Sequence, residues 1–381
     1  MSSSQNKNKP TICIVTCYRQ PDYVRAATLR RGLKDSDVFS EVIIIKNSHL
    51  NFLRYLEVCT ALVKVRLFKN PDAYLITFRG YEILPFVLLI GAGKKIIYDE
   101  LTNPVEWFVY EHKYLVGPLA LLGTLLRISY SAMMKMTTAV IADTRSHALY
   151  SSQLMSVEID KYFTIPVGTD ETMFKPIAPT PRQGSRPFRV LYYGSMLPLH
   201  GVSYVLEAAV ALAHNRDIEF HVVGGKQAVA KLVASSRAQG AHVKYESWVQ
   251  YQKLPQLLAD SDLCLAGPFG DTVQSQFVVT GKTYQFLASG RPAVIGQNQE
   301  TRQFVDKQNV LSVPQADSAA LVGAIKWASR HPKQLRQIAD NGRKLYERDF
   351  SSRPLSAYLR RLFLGKHIFE VQTRRGDKQQ D

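Results

Sequence analysis

Short runs rich in Ile, Val, Leu and Tyr alternate with longer stretches of helical periodicity along most of this chain. TICIVTC (11–17), EVIIIK (41–46), AYLITF (73–78), KKIIYD (94–99), AVIAD (139–143) and a run at 162–166 read as strands. Helices are predicted at 22–35, 51–69, 81–91, 113–136 and 144–156. Strand–helix alternation with near-continuous apolar strands predicts a parallel sheet covered on both faces.

KPIAPTPRQGSRP (175–187) interrupts the pattern with four prolines and reads as a linker. The alternation then restarts. FRVLYYG (188–194), IEFHVVG (218–224), HVKYES (242–247), LCLAG (263–267), PAVIG (292–296) and VLSVP (310–314) read as strands. Helices are predicted at 202–214, 226–238, 251–259, 281–289, 300–306, 317–330 and 332–348. Two doubly wound α/β units are therefore expected, residues 1–178 and 179–350. They would face each other across a cleft at the carboxyl ends of their sheets, where open α/β sheets bind ligands. A length of 381 residues suits two such cores better than one.

Composition removes several classes. Hydrophobic residues at 46% and charged residues at 21% are a globular balance. The four cysteines, Cys13, Cys17, Cys59 and Cys264, are scattered and read as reduced core thiols, with no zinc spacing. The polar start MSSSQNKNKP predicts no signal peptide, and no apolar run is long enough to span a bilayer. A cytoplasmic location is expected. The net charge of +16 is uneven: residues 323–381 hold 14 Lys/Arg against 6 Asp/Glu. A basic face suits an acidic substrate or an anionic membrane surface. Nucleic acid is not expected, because no Arg/aromatic-interleaved stretch or binding module is present.

Candidate chemistry concentrates in the second half. The turn GSMLPLHG (194–201) follows a strand and opens a helix, and its Gly194 and Gly201 allow close backbone approach. His200 stands at the helix entrance. The stretch 267–296, GPFGDTVQSQFVVTGKTYQFLASGRPAVIG, ends a long loop on Thr280, Gly281 and Lys282, where a helix begins. A lysine beside free helical N–H groups makes an anion site. Gln285 faces the same side one turn on.

These segments resemble retaining GT-B glycosyltransferases of the family 4, or group 1, type. ADTRSHALYSSQL (142–154), IPVGTDETMFKP (165–176), YYGSMLPLHGV, YESWVQYQKLPQLLADSDLCLAGPFGDT (245–272) and GKTYQFLASGRPAVI carry the resemblance in order. It covers nearly all of 140–350 and, more weakly, 11–100. It implies a GT-B fold of two Rossmann-like domains, the first binding acceptor and the second the nucleotide sugar. Residues 351–381 would form a helix crossing back to the first domain and then a disordered basic tail.

By position, the resemblance implies that Lys282 is the main cation for the donor diphosphate. His200 and Ser195 stand where the family commonly has lysine and arginine. Gly194, Gly201, Gly270, Thr272, Gly281 and Thr283 would line the donor. The backbone at Trp248 and Val249 would hold the base, Gln285 the ribose and Asp271 the sugar. Gln285 and Phe277 replace the family's two glutamates, so the usual acidic signature is absent. In the first half, IIYDELTNPVEWFVYEH (96–112) places Asp99 as a catalytic candidate and Glu100 and Glu106 as acceptor contacts. Arg19 and Arg25 lie near the same edge, where they would meet an anionic acceptor or donor, Arg19 as an acceptor contact.

The implied reaction moves a sugar from a UDP- or GDP-linked donor to a glycan or lipid-linked acceptor with retention, without metal or other cofactor. The competing readings are a sugar-nucleotide epimerase of the same architecture and a non-catalytic binding homologue. The apolar run 115–126, bracketed by Lys113 and Arg127, suits either a core helix or an interfacial one beneath a lipid-linked acceptor. A peripheral position on the inner face of a membrane follows from the second.

Overall fold

The computed structural model describes residues 9–181 and 186–365. The chain divides into two compact units. The first takes residues up to Val167 together with those from Ser352 onward, and the second is Gly168–Ser351. The division thus falls at Val167/Gly168 and not at 178/179. The reason lies in how the stretch after Gly168 packs: Phe174 is buried edge-on to Tyr251, and Glu171 accepts from the Tyr346 hydroxyl at 3.0 Å.

In the first unit β1 (Thr11–Thr16), β2 (Glu41–Lys46), β3 (Ala73–Ile76), β4 (Lys95–Asp99), β5 (Ala139–Ala142) and β6 (Tyr162–Thr164) form one sheet. Its order is β2-β1-β3-β4-β5-β6 with every pair parallel. Helices α1 (Val24–Asp35), α2 (Leu53–Phe68), α3 (Leu84–Ile90), α4 (Ala120–Met136) and α5 (Arg145–Met155) connect the strands. Alternate residues feed opposite cores, as the two-residue period of a strand requires. Ile12 and Ile14 join Leu75, Ile97 and Ile141 on one face, and Cys13 and Val15 join Tyr74, Ile76 and Tyr98 on the other.

The second unit repeats the plan. β7 (Phe188–Tyr193), β8 (Ile218–Val223), β9 (Val243–Glu246), β10 (Leu263–Leu265), β11 (Ala293–Gly296) and β12 (Leu311–Val313) lie in the order β12-β11-β10-β7-β8-β9, again all parallel. Helices α6 (Val202–Ala211), α7 (Gln227–Ala238), α8 (Leu254–Ala259), α9 (Gly281–Ala288), α10 (Ser318–Arg330) and α11 (Pro332–Asp349) complete it. A last helix, α12 (Ser352–Leu364), belongs to the first unit, where Leu355 and Leu359 pack with Leu29 and Leu33 of α1. The basic tail expected beyond it lies outside the described residues.

Two elements depart from the sequence reading. No helix forms at 300–306. There the Asn298 side chain accepts from Glu300 N at 2.9 Å and Thr301 Oγ1 accepts from Asn298 N at 2.9 Å. Such local side-chain bonds compete with helical ones. The helix expected from 113 starts at Ala120, because Lys113 and Gly117 adopt left-handed φ of 53° and 57° and Pro118 follows.

Each sheet reverses its strand order once, between β1 and β3 in the first and between β7 and β10 in the second. Ligands of doubly wound sheets bind outside the strand carboxyl ends at such points.

Candidate anion-binding site

At the reversal in the second sheet, the turn after β7 and the loop after β10 are locked together. Gly201 has φ 66°, and a Cβ there would lie 2.5 Å from Gly270 N and from Phe269 C. Gly270 N donates to Leu199 O at 3.0 Å. Only glycine fits that contact, so the 194–201 turn and the 267–270 loop form one rigid floor.

Helix α9 starts above this floor. Thr280 precedes it in extended conformation but does not cap it with its side chain. Its hydroxyl donates to Ala266 O at 2.9 Å instead and shares a 3.2 Å contact with the Thr283 hydroxyl. The space a Cβ on Gly281 would enter is open. An uncapped N-terminus with open space before it favours an anion.

Lys282 points into the same corner. It is only 6% exposed, and its Nζ has no hydrogen-bond partner among the described residues. The ammonium lies 4.7 Å from the centroid of the Tyr192 ring. A Cβ on Gly194 would sit 3.5 Å from that Nζ and 3.7 Å from His200 Nδ1. Burial without a counter-charge pushes the Lys282 pKa down to about 7. Burial first, and then the neighbouring Lys282 charge, hold His200 well below its usual value. His200 Nδ1 is likewise without a partner. Two nitrogen groups with no internal partner, beside a glycine that leaves room, are a cradle for an oxyanion.

Gln285 continues the site. Its Oε1 accepts from the Tyr193 hydroxyl at 2.5 Å. Sequence reasoning missed Tyr192 and Tyr193, although the aromatic pair before Gly194 in YYG is the visible signal. Ser195 is exposed beside Gly194. Asp271 is exposed and reaches the Tyr204 hydroxyl. Thr272 serves its own turn, its Oγ1 accepting from Ser275 N at 3.2 Å. Phe277 is buried. Trp248, 72% exposed, and Val249 follow β9, two strands from β7. At about 4.8 Å per strand that is roughly 10 Å from Gly194.

The first unit's candidates behave differently. Asp99 is fully buried. Its Oδ1 accepts from Arg25 Nε at 2.9 Å and Nη2 at 2.7 Å, and its Oδ2 accepts from Phe78 N at 3.2 Å. Arg25 Nη1 donates to the Ile165 and Pro166 carbonyls, both at 2.8 Å. Both Asp99 oxygens are thus taken up within the fold, and burial above all holds its carboxyl above the usual range even against the Arg25 guanidinium, an arrangement that suits a structural pair. Glu100 is also consumed internally. Its Oε2 accepts from the Tyr130 hydroxyl at 2.9 Å, and its Oε1 accepts from Asn103 Nδ2 at 3.3 Å and lies 3.6 Å from His147 Nε2. Burial acts to lower the His147 pKa, but Asp143 at 2.6 Å and Glu100 hold it up at about 10. Glu106 keeps an unpartnered, buried Oε2, and burial above all pushes it up to about 7. Arg19 is exposed. Among the described residues no group of His, Cys, Asp or Glu is placed to hold a metal ion, and no helix is long and apolar enough to cross a membrane.

Residues 187–331, within the second unit, match the family model described as Glycosyl transferases group 1. A curated relative, the MMP alpha-(1->4)-mannosyltransferase of Mycolicibacterium hassiacum, is 26% identical over 208 residues, 53% of this chain. The chain spans about half of that relative's length, 48%. Among solved structures, Anabaena HepE in complex with UDP-glucose superposes with a TM-score of 0.68 at 13% identity, covering 93% of this chain and 99% of that one. Sucrose-phosphate synthase of Thermosynechococcus elongatus gives 0.68 at 13% identity, covering 96% and 100%. These likenesses establish the GT-B type of α/β fold.

Proposed function

We propose that this chain transfers a sugar from a nucleoside-diphosphate sugar to a glycan or lipid-linked acceptor. The observation that carries the reading is the buried, unpartnered Lys282 ammonium at the reversal point of the second sheet. An ammonium buried without a counter-charge is costly unless a ligand supplies one. A diphosphate does so, and it gains charge as the glycosidic bond to it breaks, which favours the transition state over the bound donor. The likeness to HepE, solved with UDP-glucose, and to a mannosyltransferase supports the same donor class.

In this reading Lys282, His200 and the open N-terminus of α9 receive the diphosphate, with Gly194, Gly201, Gly270 and Gly281 admitting it. The Ser195 hydroxyl and the Thr283 side chain flank the phosphates. Gln285 binds the ribose, the backbone near Trp248 and Val249 the base, and Asp271 the sugar. The bond from the anomeric carbon to the diphosphate oxygen breaks as the bond to the acceptor oxygen forms. With retention, a departing phosphate oxygen takes the acceptor proton, so no side-chain base is needed and a structural role for Asp99 is compatible with the reaction. The positive charge a divalent cation often provides comes from Lys282 and the helix end. The first unit holds the acceptor, with the exposed Arg19 and the unpartnered Glu106 carboxyl as its contacts and Glu100 in the buried layer.

One surface favours a lipid-linked acceptor. Helix α4 buries Gly123, Tyr130 and Met134 but exposes Leu121, Leu122, Leu125 and Ile128, with exposed Arg127 and Lys135 beside them. That combination suits peripheral docking on an anionic membrane face. Docking would be lost between 50 and 500 mM salt and absent on neutral vesicles; equal recovery in the supernatant with either lipid removes it.

The test of the whole reading is incubation of the purified chain with labelled UDP- and GDP-sugars and a panel of glycan and lipid-linked acceptors. Transfer is expected. Interconversion of the sugar nucleotide without transfer would assign an epimerase, and neither would leave a binding protein.

A further inference from the structure

The first sheet has its own reversal point, and a second set of unusual features meets there. Three segments leave the carboxyl edge around it: Tyr18 after β1, Phe78 and Arg79 after β3, and residues 106–111 beyond β4. Arg79 adopts φ 57°, a left-handed conformation ordinarily left to glycine. A strained arginine persists only where surrounding contacts enforce it, and such residues cluster at ligand sites. The 106–111 segment is π-helical, another irregularity concentrated at functional sites.

These irregularities place one guanidinium between two aromatic faces. Arg79 Cζ lies 5.6 Å from the centroid of the Tyr18 ring and 5.7 Å from that of Trp107. Trp107 in turn lies against His112, with ring centroids 4.1 Å apart and an interplanar angle of 33°. Arg79 Nη2 donates to the Tyr81 hydroxyl at a long 3.4 Å, the guanidinium also bonds the Tyr18 side chain, and no carboxylate pairs with Arg79 among the described residues. Tyr18, Arg79, Trp107 and His112 are all partly exposed, so the assembly is an open shelf and not core.

A guanidinium flanked by rings keeps its in-plane N–H groups for an anion, and its fork matches phosphate and carboxylate alike. The ring faces beside it suit the apolar face of a sugar. We propose that this shelf binds a sugar bearing a negative charge, a phosphate or a carboxylate, with Arg79 on the anion and Trp107 under the ring. Identifying that sugar as the acceptor rests on the glycosyl-transfer reading above; the anion preference does not.

The test is calorimetric binding of glucose 6-phosphate, glucuronate and glucose to the full chain, with UDP held at saturation so that the Lys282 corner is occupied. At least one of the two anions should bind tenfold or more tighter than glucose, and the better one separates phosphate from carboxylate. Arg79→Gly suits the left-handed backbone and should keep the fold. It should reduce that anion to the glucose level while UDP affinity stays unchanged, and Arg79→Lys should recover part of the preference. Trp107→Ala should weaken all three sugars. Glucose binding as tightly as both anions, or an anion preference that survives Arg79→Gly, overturns the proposal. Failure of UDP to bind would count against the Lys282 reading alone, because the Arg79 variants are scored on the sugars.

Discussion

Arg25 and Lys282 are both buried cations at the carboxyl end of a doubly wound sheet, yet the fold treats them oppositely. Arg25 has Asp99 and two carbonyls within 2.9 Å. Lys282 has a tyrosine ring and no hydrogen-bond partner among the described residues. Burial alone therefore does not mark a functional charge; burial without compensation does. A compensated pair holds segments together, here α1, β4 and the chain after β6. An uncompensated one stores an unfavourable term that a ligand of opposite sign relieves.

The comparison breaks first on stability. Asp99→Ala should strip the counter-charge from Arg25 and cost about 3–5 kcal/mol, the usual penalty for breaking a buried pair. Chemical denaturation would show it as a lower midpoint. A variant as stable as the parent would mean that Asp99 is not structural and return it to the list of reactive groups.

Lys282→Ala should do the reverse. Removing an uncompensated charge should leave the melting temperature equal or higher, while turnover falls at least tenfold. The loss corresponds to one charge-assisted contact to the departing diphosphate, about 1.5–3 kcal/mol. Near-normal activity in the folded variant removes Lys282 from the site.

These two residues also show what the sequence made legible. Lys282, His200 and Gln285 stood out because each sits in a glycine-marked turn or helix start after a strand, a pattern visible within a short stretch, although the contacts that bring the two segments together are not. The pairing of Asp99 was not legible because Arg25 is 74 residues away, and such a partner is invisible until the strands pair. Arg79 was missed for a related reason: its meaning depends on Tyr18 and Trp107, brought beside it by strand order. The alternation of strands and helices was plain throughout, whereas the unit boundary was not. Prolines marked the linker, but the packing of Phe174 decided where the second unit begins.

The third prediction sharpens the comparison through pH. The Lys282 pKa, pushed down to about 7 by burial, lies below its unfolded value, so the unfolded chain binds more protons between about 7 and 10.5. This group's contribution to stability is therefore least below 7 and rises with pH through that window. A bound diphosphate should raise the pKa again. Between pH 7.5 and 9, UDP binding should take up close to one proton, and affinity should fall by up to about tenfold per pH unit. Calorimetry in buffers of different ionisation enthalpy measures the proton directly. No uptake would mean that Lys282 is charged before the ligand arrives.

The smallest effect concerns Gln285, whose two ends face different demands. Its Oε1 accepts from the buried Tyr193 hydroxyl, and its Nε2 has no partner among the described residues. An amide with one end anchored and a donor left over suits a ribose hydroxyl. Gln285→Glu should be tolerated, since a carboxylate accepts from both Tyr193 and a ribose hydroxyl. Gln285→Leu should weaken UDP binding several-fold, about 0.5–1.5 kcal/mol for one neutral hydrogen bond. That variant also orphans the Tyr193 hydroxyl, so the loss could come from a disturbed pocket wall. The double variant Tyr193→Phe with Gln285→Leu separates the two causes, because it removes both partners and leaves no buried group unsatisfied. If stability returns while UDP affinity stays low, Gln285 contacts the nucleotide. If affinity returns as well, Gln285 serves only to satisfy Tyr193, and the ribose is held elsewhere.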